Sequence, residues 1–278
     1  MALVEKGKGF KSLFTSVIAY VSGILTLFPF LWMLSTSFKS QQEALISGIS
    51  IIPQTLLLSS YSEALQKASL LHYVYNSLVV TVGSTIGVVI TSLMAGYALS
   101  RMHFPGKKVI FIVILGTMLI PHQATMVPSF LLMKTFGWVN TFKALIIPFL
   151  VYPFAVFLIR NFFLSIPKEL EEAAYLDGCN RMQTLIRIII PISKPAIASV
   201  IIFNFTYIWN DFFWPLVMTT STEMRTVQVG LALIKSEFLL QWPLLMAATV
   251  LSSIPIFVVY IAFQRFFVEG SVSSGVKG

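Results

Sequence analysis

Glu171-Glu172-Ala173-Ala174-Tyr175-Leu176-Asp177-Gly178, followed by Ile188, Ile190 and Pro191, is one of the few charge-rich stretches in a very hydrophobic chain. It falls between two apolar runs, each long enough to span a bilayer. Carboxylates are costly in hydrocarbon, so the stretch belongs outside the lipid and its flanking runs belong within it. Working outward from it, six apolar segments cover about 13–37, 73–100, 109–133, 142–164, 196–218 and 244–267. Each is near the roughly 20 residues that a spanning helix needs. The expected fold is all-α and integral to the membrane: six transmembrane helices in one domain over residues 1–278, with the acidic stretch in a connection at about 165–195.

Composition points the same way. Apolar residues make up 56% of the 278 and charged residues only 11%, whereas a soluble domain is about half apolar and a quarter charged. The high pI does not imply nucleic-acid binding, because the lysines and arginines form no basic patch and sit mostly at the ends of apolar runs. Cys179 is the only cysteine, which excludes an intrachain disulfide. The run from Leu13 to Phe38 is too long for a signal-peptide core and reads as a retained first helix.

Lysines and arginines on alternate sides of the six segments set the orientation. The side that holds Lys6, Lys8, Arg101, Lys107, Arg160, Lys168, Arg181, Lys194 and Lys277 is about twice as basic as the other. Both termini and the acidic stretch are therefore expected in the cytoplasm. On the opposite side lie residues 39–72, a short turn near Gly137, and a second external loop at 219–243.

The acidic stretch carries its own helix signals. Pro167 suits a first helical turn, where its missing N–H costs nothing. Glu169, Glu171 and Glu172 follow, and negative charge near a helix N-terminus is favourable. Ala173 and Ala174 keep the middle slim, and Gly178 can take the left-handed conformation that closes a helix. The spacing predicts a short helix from about Pro167 to Asp177. A second helix, capped by Asn180 and reaching Ile190, would be broken by Pro191. Alone, such a segment could be an amphipathic connector on the membrane surface or a rigid peg for a partner.

The fifth segment carries the best candidate for a transport pathway. Asn204, Tyr207, Asp211 and Trp214 are three, four and three residues apart, so on a continuous helix they share one side, with Asn210 close by. Amide, carboxylate and aromatic groups together suit a sugar, which offers an apolar ring face and many hydroxyls. The same residues also fit a plainer role, with aromatics in an interface belt and Asn204 bonded to a neighbouring helix. His122 and Gln123 beside Pro121 form a second polar spot without metal-ligand spacing, and no metal site is expected. The prolines within the segments, Pro29, Pro121, Pro128, Pro148, Pro153, Pro215 and Pro255, should bend them.

The spacing Glu172-Ala173-Ala174, three residues, Gly178, nine residues, Ile188, one residue, Ile190, Pro191 resembles the EAA loop of ABC-importer permeases. Ile190 replaces the usual leucine, and Cys179 stands where a small alanine is common. The resemblance covers nearly the whole chain and leans toward the maltose-type, sugar-transporting branch. It is carried by Asn76-Ser77-Leu78, Ala98-Leu99-Ser100-Arg101, Phe104-Pro105-Gly106-Lys107, Trp209-Asn210-Asp211, Trp214-Pro215-Leu216 and the terminal Gly275-Val276-Lys277-Gly278.

That resemblance implies an ABC-importer permease fold with a cytoplasmic coupling helix, in a bacterial or archaeal plasma membrane. The ATPase-coupling residues would be Glu171, Glu172, Ala173, Ala174, Asp177, Gly178, Ile188 and Pro191. The partners would be a second, different permease subunit, two ATP-binding subunits, an extracytoplasmic solute-binding protein and a sugar. Gly106-Lys107-Lys108 lacks the preceding glycine and following hydroxyl of a phosphate-binding loop. ATP and Mg are therefore expected on a partner ATPase, with no cofactor and no catalysis in this chain. A related cargo such as glycerol phosphate or a polyol is the alternative within the class. A self-sufficient secondary carrier would call for acidic residues at mid-membrane, which the segments lack.

Overall fold

A computed structural model describes residues 2–46, 48–66, 69–237 and 241–275, and the side chains of all these except 2–14, 237 and 267–275. The terminal Val276-Lys277-Gly278 of the resemblance lies outside the described residues. Every regular element among the described residues is helical. In chain order these are α1 (Ala2–Ser37), α2 (Gln41–Ile46), α3 (Ser59–Gln66), α4 (Leu70–Arg101), α5 (Lys107–Thr117), α6 (Met126–Thr135), α7 (Phe142–Ile146) and α8 (Pro153–Ser165). They continue as α9 (Glu169–Leu176), α10 (Arg181–Thr184), α11 (Ile190–Ile192), α12 (Lys194–Trp209), α13 (Phe213–Met218), α14 (Val227–Glu237) and α15 (Trp242–Gly275).

The chain forms two compact units, one of Met1–Leu70 with Leu231–Ser252, the other of Leu71–Gly230 with Ser253–Gly278. In the first unit the connection after α1 folds back on the end of that helix. Leu57 N–H donates to Phe38 O at 2.8 Å, the Ser37 and Tyr61 hydroxyls meet at 2.7 Å, and Lys39 Nζ donates to Ser50 O at 2.6 Å. From Thr15 to Leu31 every side chain of α1 is exposed.

The second unit is organised around α8, whose Ala155, Val156, Ile159 and Phe163 are buried and which packs against α5 and α12. Glycines let α4 approach its neighbours closely, as small residues do between membrane helices. A Cβ on Gly96 would come within 2.7 Å of Ile159 Cγ2 and 3.2 Å of the Arg160 amide nitrogen. One turn lower on the same contact, Thr91 Oγ1 donates to Leu150 O at 2.7 Å.

Among the described residues, four helical segments are long and apolar enough to cross a membrane: Thr15–Ser37, Leu70–Arg101, Phe142–Ser165 and Trp242–Phe266. The count reaches six only if two bent pairs each make one span. The expected third span bends by 93° between Lys107–Thr117 and His122–Thr135. Pro121 lies at this bend with extended backbone, since proline lacks the N–H that would continue the helix. The expected fifth span, 196–218, is not continuous either. Arg181–Ile192 meets Lys194–Trp209 at 78°, and the helix then ends at Trp209. The stretch 219–243, expected as a loop, contains the apolar helix α14.

Candidate functional site

Short-range signals build the segment after α8. Ile166 leaves the helix with extended backbone, and α9 starts at Glu169, two residues later than Pro167. Gly178 takes φ +80°, and the helix closes with Cys179 N–H donating to Ala174 O at 2.9 Å and Gly178 N–H to Tyr175 O at 3.0 Å. These are the two bonds of a Schellman ending. Asn180 and Gln183 then form a reciprocal capping box, with bonds of 2.9 and 2.8 Å.

Pro191 does not break the second helix. Leu185–Ile189 is wound as a π-helix, with Ile190 N–H donating to Leu185 O, and the turn runs on through Pro191 to Ile192. The wider winding shifts the hydrogen-bond register ahead of the residue that has no donor. The bend falls at Ser193, after which Lys194-Pro195 starts α12.

The charges of α9 are divided between its faces. Glu171 turns inward and Glu169 and Glu172 outward. Glu171 Oε1 lies 2.6 Å from Arg101 Nε at the end of α4, with both side chains only 6–7% exposed. The angle is outside hydrogen-bond geometry, so that contact holds by charge, while the Tyr97 hydroxyl donates to Oε2 at 3.3 Å. Arg101 Nη2 also donates to Ile166 O at 2.6 Å, fixing the turn that precedes α9. The Tyr175 hydroxyl lies 3.3 Å from that of Tyr97.

Beside this joint is an open cavity of about 340 Å³, with Arg101, His103, Lys168, Glu172, Tyr175 and Arg181 among its lining. Of the other motif residues, Ala174 is buried with Glu171, Ile188 is half-buried, and Ala173, Asp177, Gly178 and Pro191 are exposed. Leu176 at the helix tip is 89% exposed, and Leu170, Met182 and Ile186 are exposed nearby. Reading the sequence did not single out this apolar crest, nor Arg101 as the partner of Glu171. In the sequence Arg101 stands out only as a topological charge and as the end of the Ala98-Leu99-Ser100-Arg101 stretch.

The residues expected to share one face of the fifth span do not. Asn204 is buried and its amide donates to Thr85 Oγ1 on α4 at 3.0 Å. Tyr207 is partly exposed and stacks on Tyr152, ring centroids 5.5 Å apart. Asn210 caps the end of α12, donating to Thr206 O at 2.9 Å and accepting from Gln228 Nε2 at 3.3 Å. Asp211 Oδ1 accepts from Trp214 N–H at 3.3 Å, at the start of α13. Trp214 turns into the core, where its indole N–H donates to Ala144 O at 3.0 Å and its ring meets His122 and Phe149 edge-on. The helix break separates Asp211 and Trp214 from the Asn204 side. Asn76, from the Asn76-Ser77-Leu78 stretch, is buried and donates to Glu223 O and Arg225 O at 2.8 and 2.9 Å. Among the described residues no group of three or more metal-ligating side chains converges.

Comparison with known proteins places this geometry. Residues 87–270 match the model of a family described as binding-protein-dependent transport system inner membrane component. The chain is 34% identical over 269 residues to an arabinooligosaccharides transport system permease of Halalkalibacterium halodurans, covering 96% of each protein. It is 34% identical to a trehalose/maltose transport system permease of Thermococcus litoralis, covering 94% of this chain and 95% of that one. A sulfoquinovosyl glycerol transport system permease of Agrobacterium fabrum is 30% identical over the full length of both. A chain in the crystal structure of a bacterial ABC transporter involved in import of the acidic polysaccharide alginate is similar at a TM-score of 0.81 and 27% identity, with 93% of this chain and 96% of that one covered.

Proposed function

This chain belongs to the family of binding-protein-dependent transport system inner membrane components, a permease of the sugar ABC-importer kind, and from that premise we propose how it works. It carries a sugar or oligosaccharide into the cytoplasm as one of two different permease subunits. Two ATP-binding subunits supply the energy and hold the ATP and Mg. An extracytoplasmic solute-binding protein delivers the cargo. The acidic stretch and both termini face the cytoplasm, and α9 is the coupling helix.

The observation that carries the coupling reading is the surface of α9. An exposed apolar tip, Leu176, stands on a short helix closed at one end by the Gly178 turn and tied to α4 by Glu171 and Arg101. A surface that is apolar outside and anchored by charge inside can take a push from a partner and pass it to a spanning helix. Leu176→Asp should lose co-purification of the ATPase subunits and ATP-dependent uptake while membrane insertion stays normal. Gly178→Val, which forces a β-branched residue to φ +80°, should uncouple ATP hydrolysis from uptake in the same background. Unchanged uptake in both variants would count strongly against this role for α9.

A carbohydrate cargo is supported by the relatives named for arabinooligosaccharides and for trehalose and maltose. The relative named for sulfoquinovosyl glycerol keeps a glycerol-bearing or polyol cargo as the second reading. Substrate-stimulated ATPase activity of the assembled transporter, screened with neutral oligosaccharides against glycerol phosphate and polyols, separates the two.

A further inference from the structure

Between α4, the break after α12 and the start of α14 lies a small void of about 10 Å³. Four polar side chains line it: Ser77 and Thr81 from α4, Asp211 from the break, and Thr226 immediately before α14. The rest of its wall comes from aliphatic and aromatic side chains and Pro215. Thr81 Oγ1 and Thr226 Oγ1 are both buried without a hydrogen-bond partner among the protein groups, and the two residues are 1% and 5% exposed.

Thr226 makes the arrangement informative. A threonine preceding a helix ordinarily accepts from the N–H of the second or third helical residue. Here its hydroxyl makes no such bond, while Ser77 Oγ accepts from the Val227 N–H at 2.8 Å and the Thr226 backbone carbonyl accepts from Gly230 N–H at 2.9 Å. The Thr226 hydroxyl is left over for the void.

We propose that this void is a binding site for a single structural water that joins Thr81, Thr226 and Asp211. A space of this size is about the least that holds one water, and a buried water needs two to four polar partners. The hydrogen-bond count closes. The two threonine hydroxyls donate to the water oxygen, and the water donates one proton to the Asp211 carboxylate and the other to Ser77 Oγ, which lines the same void. That carboxylate keeps its bond from Trp214 N–H. A cation in the same place would take the hydroxyl lone pairs and leave both hydroxyl protons facing hydrocarbon, so water is the occupant that satisfies every group. The water pins the helix break to α4 and to the start of α14.

The sign of a threonine-to-valine effect tests this. Burying a hydroxyl without a partner is unfavourable, so if no water bridges the groups, isosteric Thr81→Val or Thr226→Val leaves stability unchanged or raises it. With a bridging water, each substitution lowers the unfolding midpoint of the assembled transporter in nanodiscs, by about 2–4 °C. The double variant then falls by less than the sum, because the first substitution has already dislodged the water. Neutral, stabilising or additive effects overturn the proposal. Replacing NaCl with choline chloride should leave the wild-type midpoint unmoved; a drop would make the occupant a sodium ion and also overturn it. If either variant fails to assemble, a high-resolution cryo-EM map of the wild-type transporter decides. One density peak between the two hydroxyls is expected, and a featureless void contradicts the assignment.

Discussion

The two polar stretches of the larger unit, 167–191 and 204–214, use the same residue types to opposite ends. The first turns one carboxylate inward onto a cation and leaves an apolar crest outside. The second turns its aromatic ring inward and spends its amide and carboxylate on helix ends and interhelix bonds. Buried charge in the first fixes how a surface is presented. Hydrogen bonds to backbone in the second fix where a helix stops and the next begins. A polar cluster in an apolar chain is therefore no sufficient sign of a cargo path, because broken helices need the same groups to satisfy their freed backbone.

The largest effect expected from this contrast is at the charged joint. Arg101→Ala leaves Glu171 buried without its cation and frees the Ile166 carbonyl. Breaking a buried pair by removing one partner costs about 3–5 kcal/mol, enough to abolish assembly. Replacing both partners, as in Arg101→Met with Glu171→Met, should be milder than either single change, since no lone charge remains. Thermal unfolding of the purified complexes checks the order. If the double variant is the least stable, the joint is not held by charge.

How far each stretch could be read from the sequence follows the range of its signals. Gly178 and Asn180 act over three or four residues, so the closure of α9 and the cap of the next helix were legible. So was the break at Pro121, though not its sharpness. Arg101 and Glu171 are brought together only by the packing of α4 against the α8–α9 turn, and no local pattern marks a partner seventy positions away. The fifth span was misread because hydropathy counts apolar residues without asking whether the helix continues. Asn210 and Asp211 were taken as part of a stripe when they are end signals. The π-wound turn at Leu185–Ile189, which carries the helix past Pro191, leaves no residue signature beyond its aliphatic run. The apolar run Val227–Ile234 within α14 was visible but was counted as loop because charged residues flank it.

An intermediate effect is expected at Trp214. Trp214→Phe keeps the ring contacts with His122 and Phe149 but leaves the buried Ala144 carbonyl without its donor. An unsatisfied buried acceptor costs about 1–3 kcal/mol. The unfolding midpoint should fall, while the cargo concentration giving half-maximal uptake stays near that of the wild type. A large change in that concentration with normal stability would restore Trp214 to the pathway and weaken the contrast drawn here.

The smallest effect sharpens the contrast most. Asn204 sits on α12, buried, with its amide on Thr85 Oγ1. Hydrogen bonds between membrane helices average about 0.6 kcal/mol in double-mutant cycles. A cycle of Asn204→Leu with Thr85→Val should return a coupling of that order, an order of magnitude below the loss expected at Arg101. If the bond serves only to hold two helices together, uptake in the Asn204→Leu variant should stay near normal. Loss of uptake without loss of stability, and with no coupling to Thr85, would put Asn204 on the cargo path. The polar groups of the second stretch would then serve transport as well as helix ends.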